Sequence, residues 1–159
     1  MLTFEDVKNN PAIRTYIEKG NAVLGEVGYT EHGFAHAGIT AEMAANILTA
    51  LGYAPRTVEL ARIAGFMHDM GNSVNRNDHA QSGALMAFTL LSQMGMEPGE
   101  LSDVVGAIGH HDEGTGHQTC QHGADIGDNR QDGVAQRVLE QDLHAGNALG
   151  AGGAHVILT

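Results

Sequence analysis

The chain has 159 residues, which suits one domain that buries roughly two-thirds of the surface its unfolded form exposes. Its formal net charge is −11 with eight Lys and Arg residues in all, so a clustered basic face for duplex nucleic acid is excluded. A 42% hydrophobic content is not that of a disordered chain, no apolar run approaches the roughly 18 residues of a membrane span, and the acidic, polar start MLTFEDVKNN is not expected to act as a secretory signal.

The predicted elements are helices. Thr3 with Asp6 resembles a capping box. Asn10-Pro11 opens a helix through Ile13, Tyr16, Ile17, Val23 and Leu24, closed by Gly25 and Gly28. A second begins near Phe34 and runs to Leu51, where Gly52 stops it; its Ile39, Met43, Ile47 and Leu51 recur every four residues, which predicts a buried face. Pro55 opens a third, with Val58, Leu60, Ile63, Ala64 and Met67, ending near Gly71. After the loop NSVNRN, Asp78 is placed to cap a fourth with Leu85, Phe88, Leu90, Leu91 and Met94. Pro98 opens a fifth, with Leu101, Val104, Val105 and Ile108. No alternating strand pattern of useful length is present, and the expected class is all-α.

The composition changes after residue 116. The segment from His117 has no Phe, Tyr, Trp, Met, Lys or Pro. Val134, Val138 and Leu139 fit a short amphipathic helix, and GNALGAGGAH reads as a flexible glycine-rich end. The expected division is therefore a helical domain over 1–116 and an atypical segment over 117–159. The single cysteine, Cys120, forms no intramolecular disulfide, and a cytoplasmic location is expected.

Ten histidines in so acidic a chain are the unusual feature, and their placement matters more than their number. His68-Asp69 closes an apolar helix in GFMHDMGN, where Gly71 supplies a turn. His36 sits early in the preceding helix with His32 four residues before it, His79 starts the fourth helix, and His110-His111 closes the fifth. Short loops between antiparallel helices bring such ends together. Any one of these histidines is more often a core or surface residue than a ligand. Taken together, E-H-G-x-x-H-A, H-D-M-G-N, D-H-A-x-x-G-A and I-G-H-H-D-E-G point to a metal centre. Imidazole with carboxylate suits Mn, Fe, Co, Ni or Zn, with Mg also admissible. A bound divalent ion activates water and polarises a phosphoryl oxygen, so no Ser or Cys nucleophile is required. In agreement, the chain has no G-x-S-x-G elbow, P-loop or H-E-x-x-H.

His36 followed by His68-Asp69 resembles the motifs of the HD phosphohydrolase superfamily, with matching helical order from about Tyr29 to Gly116. The resemblance implies an all-α bundle of five to six helices and a centre of one or two ions ligated by His36, His68 and Asp69, with Asp69 bridging the two ions. His79 and one or both of His110 and His111 resemble the extra histidines of the binuclear branch that includes the HD-GYP proteins; His111 is favoured, because Asp-Glu-Gly follows it. His32 resembles a proton donor of cyclic-nucleotide phosphodiesterases, with metal ligation and helix capping as the other readings.

Two departures from the family pattern bear on function. Many members carry a phosphate-contacting Lys where this chain has Asn72; Arg76 is the nearest replacement, since guanidinium matches phosphate oxygens, and a solvated loop charge is the competing reading. The family also closes its site with an Asp inside an apolar helix. This chain offers Asp125, Asp128 and Asp132 outside any such helix, with Asp128 preferred. The expected activity is hydrolysis of a nucleotide or other small phosphate ester, with a catalytically inactive metal- or nucleotide-binding regulatory module as the alternative, and a homodimer is compatible with either. A one-nucleotide shift in reading HQTCQHGADIG would permit a peptide such as IKPVNTALILA, closer to the family pattern. The gene's nucleotide sequence decides this: an early stop codon, or no apolar helix in the shifted frame, removes the idea.

Overall fold

The structure, a computed structural model, describes residues 1–112. Six α-helices follow one another: α1 (Phe4–Lys8), α2 (Pro11–Glu26), α3 (Phe34–Ala50), α4 (Pro55–Met67), α5 (His79–Gln93) and α6 (Pro98–Gly109). A 3₁₀ segment, His68–Ser73, continues α4. There is no strand among the described residues, and no helix there is long and apolar enough to cross a membrane. The helix expected at Val134–Leu139 lies outside the described residues.

Local chemistry sets most helix starts. Thr3 and Asp6 form the reciprocal capping box of α1. The Asn10 carboxamide oxygen accepts from the Ala12 and Ile13 amides, and Pro11 occupies the first turn of α2. The Glu97 carboxylate does the same for α6, accepting from the Gly99 and Glu100 amides, where the sequence pointed only to Pro98. Asp78 departs from expectation. It precedes α5 in the left-handed conformation (φ 57°) and its side chain caps nothing.

α4 is the hub. Leu60, Ala61, Ile63, Ala64, Gly65, Phe66 and Met67 are all buried, and α1, α3 and α6 pack on it. A helix apolar on most of its circumference belongs inside a bundle. On its remaining face Arg56 donates to both carboxylate oxygens of Glu100 in α6, to Glu59 and to the Leu2 carbonyl, tying the N-terminal segment to two helices.

The buried face of α3 is not the predicted one. Ile39 and Leu51 are 61% and 59% exposed, and Met43 and Ile47 are partly buried. Ala37, Ala41, Ala44, Ala45 and Leu48 are buried instead, with Ala41 against Gly65 of α4. The reason is interaxial distance: a Cβ on Gly65 would stand 3.1 Å from the Ala41 Cα and 3.2 Å from the Thr40 carbonyl oxygen. Backbones this close admit alanine and exclude isoleucine. In α5 the small residues Ala80, Gly83, Ala84 and Ala87 are buried together with Leu91, while Leu85 and Phe88 are exposed.

The 3₁₀ segment lies against α2 and α5. Gly71 was expected to turn the chain by its backbone freedom, but its φ is not positive. Its role is close approach, since a Cβ there would fall 1.9 Å from the His79 carbonyl oxygen and 2.6 Å from the Gly83 nitrogen. Both are backbone atoms, so no side chain can yield. Gly71→Ala is expected to destabilise the fold by several kcal/mol, on the order of 3 or more. Gly38→Ala, in α3 with nothing within 4 Å of its added Cβ, is expected to leave stability unchanged or raise it by up to about 1 kcal/mol. Urea unfolding of both variants checks the pair; equal stabilities would contradict the close packing of the 3₁₀ segment.

Candidate metal centre

Four elements and the residues at their ends deliver four histidines and one aspartate to one end of the bundle. His36 stands in the first turn of α3, His68 and Asp69 open the 3₁₀ segment, His79 is the first residue of α5, and His111 follows the end of α6. His32 precedes α3 instead of lying within it, yet its ring centroid is 5.1 Å from that of His36. The imidazoles continue as a chain, His36 to His68 at 5.1 Å, His68 to His111 at 5.0 Å and His111 to His79 at 4.8 Å.

Asp69 joins two groups. Its Oδ2 lies 3.1 Å from His68 Nε2 and 3.4 Å from His36 Nε2, and those two nitrogens are 3.2 Å apart. Its Oδ1 lies 3.4 Å from His79 Nε2 and 3.9 Å from His111 Nε2, which are 3.0 Å from each other. Neighbouring ligands of an ion bound at about 2.1 Å are separated by about 3.0 Å in octahedral and about 3.4 Å in tetrahedral geometry. The first triangle falls within that range on every edge, and the second exceeds it on one.

The backbone fixes what these rings present. His68 Nδ1 lies 2.7 Å from the Gly65 carbonyl oxygen, His111 Nδ1 2.6 Å from that of Ile108, and His79 Nδ1 3.1 Å from that of Arg76. A ring nitrogen against a carbonyl must donate, so in each neutral ring Nδ1 carries the hydrogen and the Nε2 lone pair faces the cluster. His79 and His111 therefore turn lone pairs toward each other at 3.0 Å. Without a cation between them that contact is repulsive. Carbonyl partners that fix the ring tautomer are the usual support of histidine ligands.

Burial opposes ionisation of Asp69, but the charge that His68 carries when protonated, with the imidazoles of His36, His68 and His79 close around it, outweighs burial and holds the carboxyl well below the usual range. Burial likewise opposes a charged His68, and attraction to Asp69 reverses it, raising the ring above its ordinary value. His111 is pushed down to about 3 by burial and by repulsion from His68, which keeps it neutral and available as a ligand. His36, with a side chain 33% exposed, is the open side of a centre otherwise buried.

Other predicted residues fall around this centre. Asn72, fully buried, donates from Nδ2 to Asp69 Oδ1 at 2.9 Å and to the Asp69 carbonyl at 3.0 Å, so its amide orients the carboxylate. Arg76 Nη1 reaches Asn72 Oδ1 and His79 Nε2, both at 3.3 Å. His32 Nδ1 meets the Thr30 carbonyl at 2.6 Å. His110 belongs to neither group; its Nδ1 bonds the Gly106 carbonyl. Asp128 lies outside the described residues. Sequence reasoning missed Asn21, whose Oδ1 accepts from the His32 amide, and Tyr29, whose ring lies beneath the Arg76 guanidinium. Neither carries a local signal, because each acts from an element remote in sequence or from a loop.

The HD domain family's sequence profile matches residues 31–145, most of the chain. An uncharacterised protein of Methanocaldococcus jannaschii, MJ1020, is 26% identical over 108 residues, covering 58% of this chain and 42% of its own length. The chain thus spans less than half of that relative. No solved structure matches significantly.

A ligand that binds only the folded state stabilises it by about 2.7 kcal/mol at a hundredfold excess over Kd. Adding Mn or Co to the metal-stripped full chain is therefore expected to raise its melting temperature by several degrees, and Asp69→Asn to abolish the rise. A wild-type melting temperature indifferent to every divalent ion would contradict a metal centre here.

Proposed function

Because the chain belongs to the HD domain family, whose members are generally metal-dependent hydrolases, we propose that it hydrolyses a nucleotide or other small phosphate ester with the aid of one or two divalent ions. The observation that carries this reading is the facing of the His79 and His111 Nε2 lone pairs beside the Asp69 carboxylate, an arrangement that a cation relieves. His36, His68 and Asp69 would hold one ion and Asp69, His79 and His111 a second. Such an ion lowers the pKa of water and polarises the phosphoryl oxygen that receives negative charge.

The protein's own groups supply the rest. Asn72 fixes the Asp69 carboxylate in the orientation that serves both groups. Burial of His68, His79 and His111 keeps competing water away from the ligand side, while the exposed edge at His36 leaves the ester its approach. His32 stands beside that approach. With Nδ1 held by the Thr30 carbonyl, its Nε2 proton in the charged ring is directed away from the backbone and serves as general acid to the departing oxygen. Arg76 is a cation at the site's edge, and its guanidinium suits the non-bridging phosphate oxygens.

Asp69→Ala is expected to lose both bound metal, by elemental analysis, and hydrolysis across a panel of nucleotides and phosphate esters assayed with Mn. Full activity in metal-free wild-type protein would overturn the mechanism. Stoichiometric metal without turnover on any ester would favour the regulatory module.

A further inference from the structure

The second ligand group has a neighbour that the first lacks. Arg76 lies in the non-helical stretch between the 3₁₀ segment and α5, with exposed residues on both sides, Asn75 and Asn77. Its Nη1 sits 3.3 Å from His79 Nε2, and the guanidinium lies 5.3 Å from the centroid of the Tyr29 ring. His79 Nδ1 faces the carbonyl of Arg76 itself, so the ring's one available lone pair is at Nε2. That lone pair can accept a guanidinium N–H or bind an ion, but not both.

We propose that Arg76 is a built-in competitor for the second ion: docked on His79, it restricts the centre to one ion at His36, His68 and Asp69, and the second binds only when the guanidinium withdraws. This rests on the metal-centre reading above. Three further observations support it. Asn72 holds the docked arginine through Oδ1 while its Nδ2 grips Asp69, so the guanidinium is anchored at the bridging carboxylate without touching it. The second triangle is the wider one, with its 3.9 Å edge between His111 and Asp69, whereas the first is closed. Finally, guanidinium does not shed its charge at any working pH, so it repels a divalent ion placed at the same nitrogen. Arg76 also has somewhere to go, because its stretch is exposed and a phosphate oxygen is a better guanidinium partner than an imidazole nitrogen.

The test is calorimetric titration of the metal-stripped full chain with Mn, with stoichiometry checked by elemental analysis after dialysis. Wild type is expected to take up one ion tightly and a second at least tenfold more weakly. Arg76→Met, which keeps an aliphatic stem against Tyr29, is expected to tighten the second ion at least tenfold and to leave the first within twofold. Adding His79→Ala to Arg76→Met should remove the second ion alone. Arg76→Gln serves as the replacement if the Met variant does not melt cooperatively. Two ions of equal affinity in wild type, or a second ion indifferent to loss of the guanidinium, would overturn the competitor role and leave the metal centre standing. No Mn uptake by wild type or either Arg76 variant would overturn the metal centre itself, and the competitor with it.

Discussion

Everything at the candidate centre depends on one constraint: the backbone of the 3₁₀ segment must lie almost in contact with the start of α5. Gly71 makes that possible. With the His79 carbonyl and the Gly83 nitrogen where a side chain would otherwise stand, the His68-Asp69 pair is brought under the first turn of α5 and opposite His111. A bundle with wider spacing would contain the same residues but would separate His79 from Asp69 by more than one ion can bridge.

Close spacing also explains what the sequence disclosed and what it concealed. The clustering of His36, His68-Asp69, His79 and His111 was legible because these residues stand at helix ends, and short connections leave such ends few places to go. The helices themselves were legible from proline and capping residues, with boundaries near those expected. The buried face of α3 was not. Periodicity methods weigh residue size as a proxy for burial, and here the large residues Ile39 and Leu51 point outward because the α3–α4 contact is built from alanine and Gly65. Asp78 misled for a related reason: an Asp before a helix is read as a cap, but the left-handed backbone at this position turns its side chain away from the amides of α5. Gly71 was identified for the wrong property. A single sequence cannot distinguish a glycine needed for its φ from one needed for its missing Cβ.

Asn72 is instructive in the same way. Read against the family pattern it is a lost phosphate contact, since a charged amine is replaced by a neutral amide. In the structure that amide is buried and spends both ends locally, on Asp69 and on Arg76. A lysine there would set its charge against Asp69 in a position with no exposure and would oppose any cation held by that carboxylate, whereas the neutral amide does not. The positive charge the site requires is then carried from the adjacent loop, where a long side chain can reach in and withdraw.

The charge balance of the centre follows. The chain as a whole is strongly acidic, which repels a phosphate ester at long range. Locally the sign reverses, because the two ligand groups share the single carboxylate of Asp69 and otherwise consist of imidazoles, with His111 held neutral by burial. One divalent ion with the Asp69 carboxylate leaves net positive charge among the ligands, and a second ion would add two more charges, offset in part by Asp112, whose Oδ2 lies 3.7 Å from His79 Nδ1. Screening at physiological salt limits the repulsion from the distant acidic surface to within about 8 Å of each charge, whereas the buried centre is screened much less. On the proposed reading, a phosphate that reached the open edge at His36 would meet a locally cationic centre in an anionic protein, and Arg76, competing with the second ion for His79, would set how cationic that centre is before the ester arrives.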